Sequence, residues 1–381
     1  KKNQNRKLVV FMDGTQNDEG TNTNVWRLYK ASLEHACADD GNPVIPYYIT
    51  GLGTTFGNLT LGSGLGFGAK GKIIDAYDFL KQTYKPGDEI FIFGFSRGAF
   101  TARSLNGLLE YGGLLKDKDD VSDTTTEDLY MAYNKSHNGS PSFLETLKKD
   151  LFDKYDTETH KVEVTAIGLF DTVPAIGKGT FSLNPMALSS GRFLYNNPDD
   201  HRTDLYAKKG FHAMSLDEQR TGFELLRFPK SKGLEEVWFS GGHENIGGQQ
   251  VEKKDFSSEK GLSKLTFDWM ISKFKEYQIF PASSASVCGK NGDNCEGGKL
   301  WDSFFTHSQG VDWIKGGALH RRPKTTDFIH GSVFCRLEIK YLGYTDRPER
   351  EPDGIYKTFY IEKNDQRYPN IVDYQCHNTD N

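Results

Sequence analysis

The hydrophobic positions of this chain fall into short blocks separated by polar or glycine-rich connections. Leu8–Met12 is a continuous apolar run that stops at Asp13-Gly14-Thr15, and Ile45–Ile49 is a second run that ends in glycines. Runs over Glu89–Phe93, 162–170 and 235–239 repeat the pattern, and end at Gly94, at Asp171 and in a loop carrying His243. Blocks of this length and composition read as buried strands. Between them the period changes. Ile73, Ile74, Tyr77 and Leu80 share one face of a helix expected over 72–84, which Pro86-Gly87 stops. Phe100, Leu105, Leu108 and Leu109 mark a helix from Arg97 to about Leu115, and Leu262, Leu265, Trp269 and Phe274 mark another over 258–278.

Strand, loop and helix alternate, which predicts an α/β fold with a mostly parallel sheet and helices on both faces. In such sheets ligands bind outside the carboxyl ends of the strands. Asp13, Ser96, Asp171 and His243 each follow an expected strand, so they are expected to converge on one edge. Residues 1–280 are read as the core. Two insertions interrupt it: a polar one at about 116–158 on the sheet's edge, with helical pieces near 126–134 and 142–153, and a lid-like one at 174–210 carrying Phe181, Met186 and Phe193. Residues 281–381 read as a C-terminal extension packed on the core, with strand-like pieces near 333–341 and 356–361. The glycine-rich stretch from Gly51 to Gly71 is expected to be an ordered loop. It lacks the Gly-Lys-Ser/Thr ending of a phosphate-binding loop and sits wrongly for a dinucleotide fingerprint.

Composition narrows the partners. The net charge is -5 with 26% charged residues, which excludes a basic nucleic-acid-binding surface. Cys288 and Cys295 flank a short loop that a disulfide would close, but the simpler reading is free thiols, and the five cysteines form no zinc-like pair of pairs. No metal or other cofactor is expected. No apolar run is long enough to span a bilayer, and no signal-peptide pattern is present. The expectation is a soluble chain, either cytoplasmic or exported by a specialised system.

The chemistry centres on "GFSRG". Gly94-x-Ser96-x-Gly98, with a strand before it and a helix after it, fits a nucleophile elbow. The N–H of Arg97 would point at a developing oxyanion, and Gly14 or Thr15 would supply a second donor from the neighbouring strand end. His243 is the expected base, with His212, His307, His320 and His330 as rivals. Asp171 is the expected orienting acid, with Asp217 as the runner-up. Ser215-Leu-Asp-Glu218 also reads as a helix capping box. Asp13 is read as supporting, through backbone hydrogen bonds at its turn. Asp13, Asp171 and His243 together leave a metal-dependent hydrolase open, and a non-enzymatic interaction domain is a further alternative.

The motifs "VVFMDGTQN", "GDEIFIFGFSRGAFTAR", "LFDTV", "HAMSLDEQR" and "EVWFSGGHENIGG" occur in the order seen in one α/β-hydrolase family. The chain resembles that family, domain of unknown function 2235, over roughly Leu8 to Gly248. Its best understood members are antibacterial phospholipase effectors of type VI secretion. The resemblance implies an α/β-hydrolase-like fold and a serine esterase or lipase with Ser96, His243 and Asp171 as the triad. It also implies an ester or phospholipid substrate, transient contact with a membrane surface, and a secretion machinery or an immunity protein as partner. A small-molecule esterase or thioesterase is the alternative. Asn245 stands where the family usually has Asp. If that aspartate orients the histidine in relatives, Asp171 must do so alone here.

Overall fold

The structure, a computed structural model, describes residues 5–37, 43–51, 64–116, 123–136, 141–155, 158–174, 205–218, 220, 223–228, 232–248, 262–281, 321, 327–330 and 371–372. Its strands are β1 (Lys7–Met12), β2 (Val44–Ile49), β3 (Glu89–Phe95), β4 (Leu114–Leu115), β5 (Thr159–His160), β6 (Val164–Phe170), β7 (Lys209–Ser215), β8 (Leu234–Phe239), β9 (Phe328–His330) and β10 (Ile371–Val372). Among the described residues, eight of these form one sheet in the order β2-β1-β3-β6-β7-β8-β9-β10. Every pairing in it is parallel. The short strands β4 and β5 pair antiparallel, apart from that sheet.

Burial of both faces explains the unbroken apolar runs. Along β1, Leu8, Val10 and Met12 pack into one cluster while Val9 and Phe11 pack into another. The first cluster lies under α2 (Gly64–Thr83) and α3 (Arg97–Gly112). The second lies under α1 (Asn24–Cys37) and the later helix over Leu262–Phe274. Successive strand residues point to opposite faces, so a strand covered on both sides shows no polar alternation. Phe11 stacks on Phe93 at 5.1 Å, and Phe274 closes over Phe93 at 4.5 Å.

The chain departs from the sequence reading in several places. α1 and β7 go beyond it. The inward face of α1 includes Ser32 and His35, which breaks its apolar pattern, while Thr23 caps its start by accepting the Trp26 N–H. Gly64–Gly71 is helix, not loop: Ala69 continues the buried face of Ile73, Ala76, Tyr77 and Leu80 back by one turn. Packing there outweighs a glycine cost of about 1 kcal/mol per residue. Residues 52–63 lie outside the described part. α4 (Asp123–Ser136) and α5 (Pro141–Tyr155) are the helical pieces expected near 126–134 and 142–153, each a little longer at both ends. α4 packs on the α2–α3 layer, with Leu129 against Gly112 and Tyr133 against Gly107. Ser215–Glu218 starts no helix: Ser215 ends β7 and bends follow, so the capping-box reading fails. Of the lid-like stretch 174–210, residues 175–204 lie outside the described residues and Lys209–Gly210 begin β7; the pieces at 333–341 and 356–361, and Cys288 and Cys295, also lie outside.

The sheet reverses direction of growth beside β1. β2 lies on one side of β1 and β3 on the other, so a crevice opens between the carboxyl ends of β1 and β3. Ser96 sits at that crevice, between β3 and α3, with φ 57° and ψ -126°. Glycine is required on both sides by close backbone approach. A Cβ on Gly94 would stand 2.6 Å from Ala99 Cα, and one on Gly98 would stand 2.3 Å from the carbonyl oxygens of both Met12 and Asp13.

Two outcomes follow. Gly98→Ala is expected to destabilise the protein by at least about 3 kcal/mol, because backbone cannot step aside as a side chain can; urea denaturation measures it. Ser96→Gly is expected to be more stable than Ser96→Ala by about 1 kcal/mol in the same assay, since release of φ strain exceeds the added chain entropy.

Candidate active site

Three strand ends meet around Ser96. The Ser96 N–H donates to the Phe170 carbonyl at 3.0 Å, and the Ser96 carbonyl accepts from the Val173 N–H at 3.2 Å. These two bonds bracket Asp171, which follows β6 and takes a left-handed φ of 39°. The Asp171 N–H is in turn held by the Ala213 carbonyl of β7 at 2.8 Å. Beyond β8, Gly241 turns the chain with φ 114°, and His243 opens a one-turn helix, α6 (His243–Gly247). His243 therefore sits on a helix start and not in the loose loop expected. The later helix over Leu262–Phe274 is α7.

The side chains of Ser96, His243 and Asp171 come together. His243 Nε2 lies 2.7 Å from Ser96 Oγ, and His243 Nδ1 lies 2.6 Å from Asp171 Oδ2. With Nδ1–H donated to the carboxylate, Nε2 is left to accept the serine hydroxyl proton. All three are buried. Phe95 at 4.7 Å and Phe223 at 4.9 Å cover the imidazole. Burial pushes the His243 pKa down, against the opposing pull of the Asp171 hydrogen bond and charge. Burial works to raise the Asp171 carboxyl, but the Arg321 charge and then the His243 hydrogen bond and charge prevail and hold it below the ordinary carboxylate range. Asp171 Oδ1 accepts from the Ser215 N–H at 2.8 Å and from Arg321 Nη1 at 2.6 Å.

The other expected residues have defined places. Asn245 Oδ1 accepts the Gly242 N–H at 3.0 Å, so this side chain fastens the turn that presents His243 and does not face its ring nitrogens. Asp217 Oδ2 accepts the Gly241 N–H at 2.6 Å and braces the same turn. Asp13 is buried, accepts from Thr23, Tyr48 and Gly14, and has its pKa pushed up to about 6 by burial. The Gly14 N–H is thus spent on Asp13 Oδ1 at 2.7 Å. Arg97 is the first residue of α3, where backbone N–H groups have no partner within the helix. Its side chain reaches back to Thr15 Oγ1 at 3.3 Å.

Of the rival histidines, His212 accepts the Thr172 N–H at Nε2 and meets Glu236 at Nδ1, a bracing role between strands. His330 stacks on Phe239 at 4.5 Å. His307 and His320 lie outside the described residues. Among the described residues, no three His, Cys, Asp or Glu side chains are grouped to hold a metal ion, and no helix is long and apolar enough to cross a membrane.

Three contributors escaped the sequence reading. Glu218 Oε2 accepts the His243 backbone N–H at 3.2 Å, and Arg220 binds Glu218 and Glu244. Both lie inside the quoted "HAMSLDEQR" motif, where the capping-box reading absorbed Glu218 and nothing singled out Arg220. Arg321 comes from a stretch with no motif at all.

The chain is similar to several known proteins. The uncharacterized protein YEL023C of Saccharomyces cerevisiae is 31% identical over 244 residues, covering 58% of this chain and 33% of the relative. An uncharacterized protein from Pseudomonas aeruginosa is similar in structure at 19% identity and a TM-score of 0.43, covering 73% of this chain and 46% of its own. The Tle1 effector bound to the VgrG spike of the type 6 secretion system is similar at 20% identity and a TM-score of 0.34, covering 65% of this chain and 52% of its own. The chain thus spans a third to a half of the length of these relatives. The family model for the type VI secretion phospholipase effector Tle1-like catalytic domain matches residues 6–273, and the chain belongs to that family.

Proposed function

We propose that the chain is a serine hydrolase of carboxylic esters and that its substrate is a phospholipid. The reading rests on one observation above all: the unbroken relay from Asp171 through His243 to Ser96, set at the carboxyl edge of the sheet. In this reading Ser96 Oγ attacks the acyl carbonyl carbon and its proton passes to His243 Nε2. The tetrahedral oxyanion is held by the N–H of Arg97, aided by the start of α3. Thr15 supplies the second donor, because the Gly14 N–H is already taken by Asp13. His243 then gives its proton to the departing alkoxide, leaving an acyl-serine. Water attacks that ester, loses its proton to Nε2, and the carboxylic acid leaves as Ser96 recovers its hydrogen.

The choice of a phospholipid is supported by Arg97. Arg220 is neutralised by Glu218 and Glu244, whereas Arg97, one residue beyond Ser96, has no acidic partner among the described residues. Its Nε is buried without a hydrogen-bond partner, and burial followed by the Arg220 charge pushes its pKa down. A guanidinium in that position suits a phosphate close to the scissile ester. Such a substrate is met at a membrane surface. Delivery through a secretion machinery, with an immunity protein as counterpart, belongs to the same reading.

Ser96→Ala is expected to lower ester turnover by at least roughly 10,000-fold and to abolish labelling by a fluorophosphonate probe. Labelling that persists in Ser96→Ala would place the nucleophile elsewhere. The kcat/KM profile is expected to fall on the acid side as His243 gains a proton. Because burial lowers that pKa, the half-point should lie below pH 6.5. Arg97→Gln is expected to cost more than about tenfold on phospholipid vesicles and less than about threefold on a neutral short-chain ester. Equal losses on both would remove the phosphate contact and favour a small-molecule esterase or thioesterase.

A further inference from the structure

Arg321 stands apart from the rest of the site in sequence. It lies beyond the residues that match the family model, which end at 273. Yet its guanidinium is buried against three separate pieces of the site. Nη1 donates to Asp171 Oδ1 at 2.6 Å and to the Ser215 carbonyl at 3.0 Å, and Nη2 donates to the Phe223 carbonyl at 2.6 Å. Phe223 in turn packs edge-on against the His243 ring. One planar group therefore joins the acid, the end of β7 and the wall of the imidazole slot.

We propose that Arg321 is a positioning residue for the Ser96 reaction: it clamps one oxygen of Asp171, aims the other at His243, and offsets the carboxylate charge that the imidazole feels. The inference rests on the hydrolase reading above. Its physical basis is that a fully buried carboxylate needs compensation, and that a neutral imidazole cannot supply a full countercharge. Ser215 N–H and Arg321 Nη1 share Oδ1, leaving Oδ2 to His243. Arg321 reaches the carboxylate through Nη1 alone, and its bonds to the Ser215 and Phe223 carbonyls hold that nitrogen in place.

The charge offset has a definite sign. Asp171 favours the imidazolium, and a cation bonded to Asp171 opposes that preference. Arg321 thus keeps His243 neutral, and so able to act as base, to lower pH. Among the described residues, the other charged or titratable groups around the pair are Glu218 and Arg220 beyond β7, Glu244 on α6, and His212 on β7. Glu218 and Glu244 are paired with Arg220, and His212 with Glu236, so Arg321 is the cation bonded to Asp171 itself.

The test uses the full chain carrying Arg321→Gln, with Arg321→Lys as the conservative partner. A soluble short-chain ester gives the kcat/KM profile, and nitrogen-15 NMR of the imidazole gives the His243 titration without any turnover. In Arg321→Gln, kcat is expected to fall roughly 100-fold with KM little changed. The acid limb and the His243 titration are both expected to move to higher pH by about one unit. Arg321→Lys is expected to return both most of the way. A folded Arg321→Gln whose profile and titration match the parent overturns the proposal. If that variant does not fold, Arg321→Met is read in its place, and failure of both to fold also overturns it, leaving Arg321 as a purely structural residue. A parent chain without ester turnover, together with a displaced titration in Arg321→Gln, would sink the hydrolase reading and leave the charge coupling standing. Turnover in the parent with an unmoved titration would sink the clamp alone.

Discussion

The tight passage from β3 into α3 is the constraint on which the rest of this structure depends. The chain changes from strand to helix across one residue, and only the left-handed backbone at Ser96 allows it. Gly98 then lies directly on the carbonyls of Met12 and Asp13, which presses α3 against the end of β1. Because Ser96 is also bonded through its own N–H and carbonyl to Phe170 and Val173, the same turn locks the end of β6. Register passes outward from there. β6 holds β7 through Asp171 N–H to Ala213, and β7 holds the turn after β8 through Asp217 and Gly241. Parallel pairing brings all these ends to one edge, so three residues far apart in sequence arrive within bonding distance.

Burial raises the stakes of every charge near that edge. Asp171 and His243 are almost without solvent contact, and the structure answers with partners on each side. A second, partly buried network runs alongside: Thr172 to His212, His212 to Glu236, Glu236 to Arg227, and Arg227 to Asp327. It ties β7 and β8 to the residue just before β9 and braces the loop in which Asp171 sits. Such networks hold geometry at the cost of desolvation, which is tolerable only when each member is paired. Two arginines near the site depart from this, Arg97 and Arg321, each with a buried Nε that nothing among the described residues satisfies.

Much of this was legible in the chain itself. The apolar runs of β1 and β3 are continuous because both faces are covered, and that is a one-dimensional signal. The elbow is legible because its steric demand selects glycine at two fixed spacings around the serine. β7 was harder to read, since His212 and Ser215 interrupt its apolar character, and their polar atoms are satisfied only by Glu236, Thr172 and Gly241 across the fold. The motif around Ser215 resembles a helix start in local chemistry, yet pairing with β8 holds Ser215 in a strand. Glu218 consequently serves the His243 backbone and Arg220, not a helix end.

Local pattern by itself determined β1, β2, β3, β6 and β8, much of α2, α3, α4, α5 and α7, and the types of residue at the sheet's edge, because steric and solvation rules act over a few neighbours. It named Ser96, Asp171 and His243 as residues that follow strands in a suitable order. Only tertiary structure decided which carboxylate faces the histidine. Asp171, Asp217 and Asn245 all approach the His243 segment, and strand register gives Nδ1 to Asp171 while the other two fasten the turn. The partner of that carboxylate, Arg321, is 150 residues further along the chain. A contact across that distance leaves no trace in local pattern, because what selects it is the cost of an unpaired charge inside the folded protein.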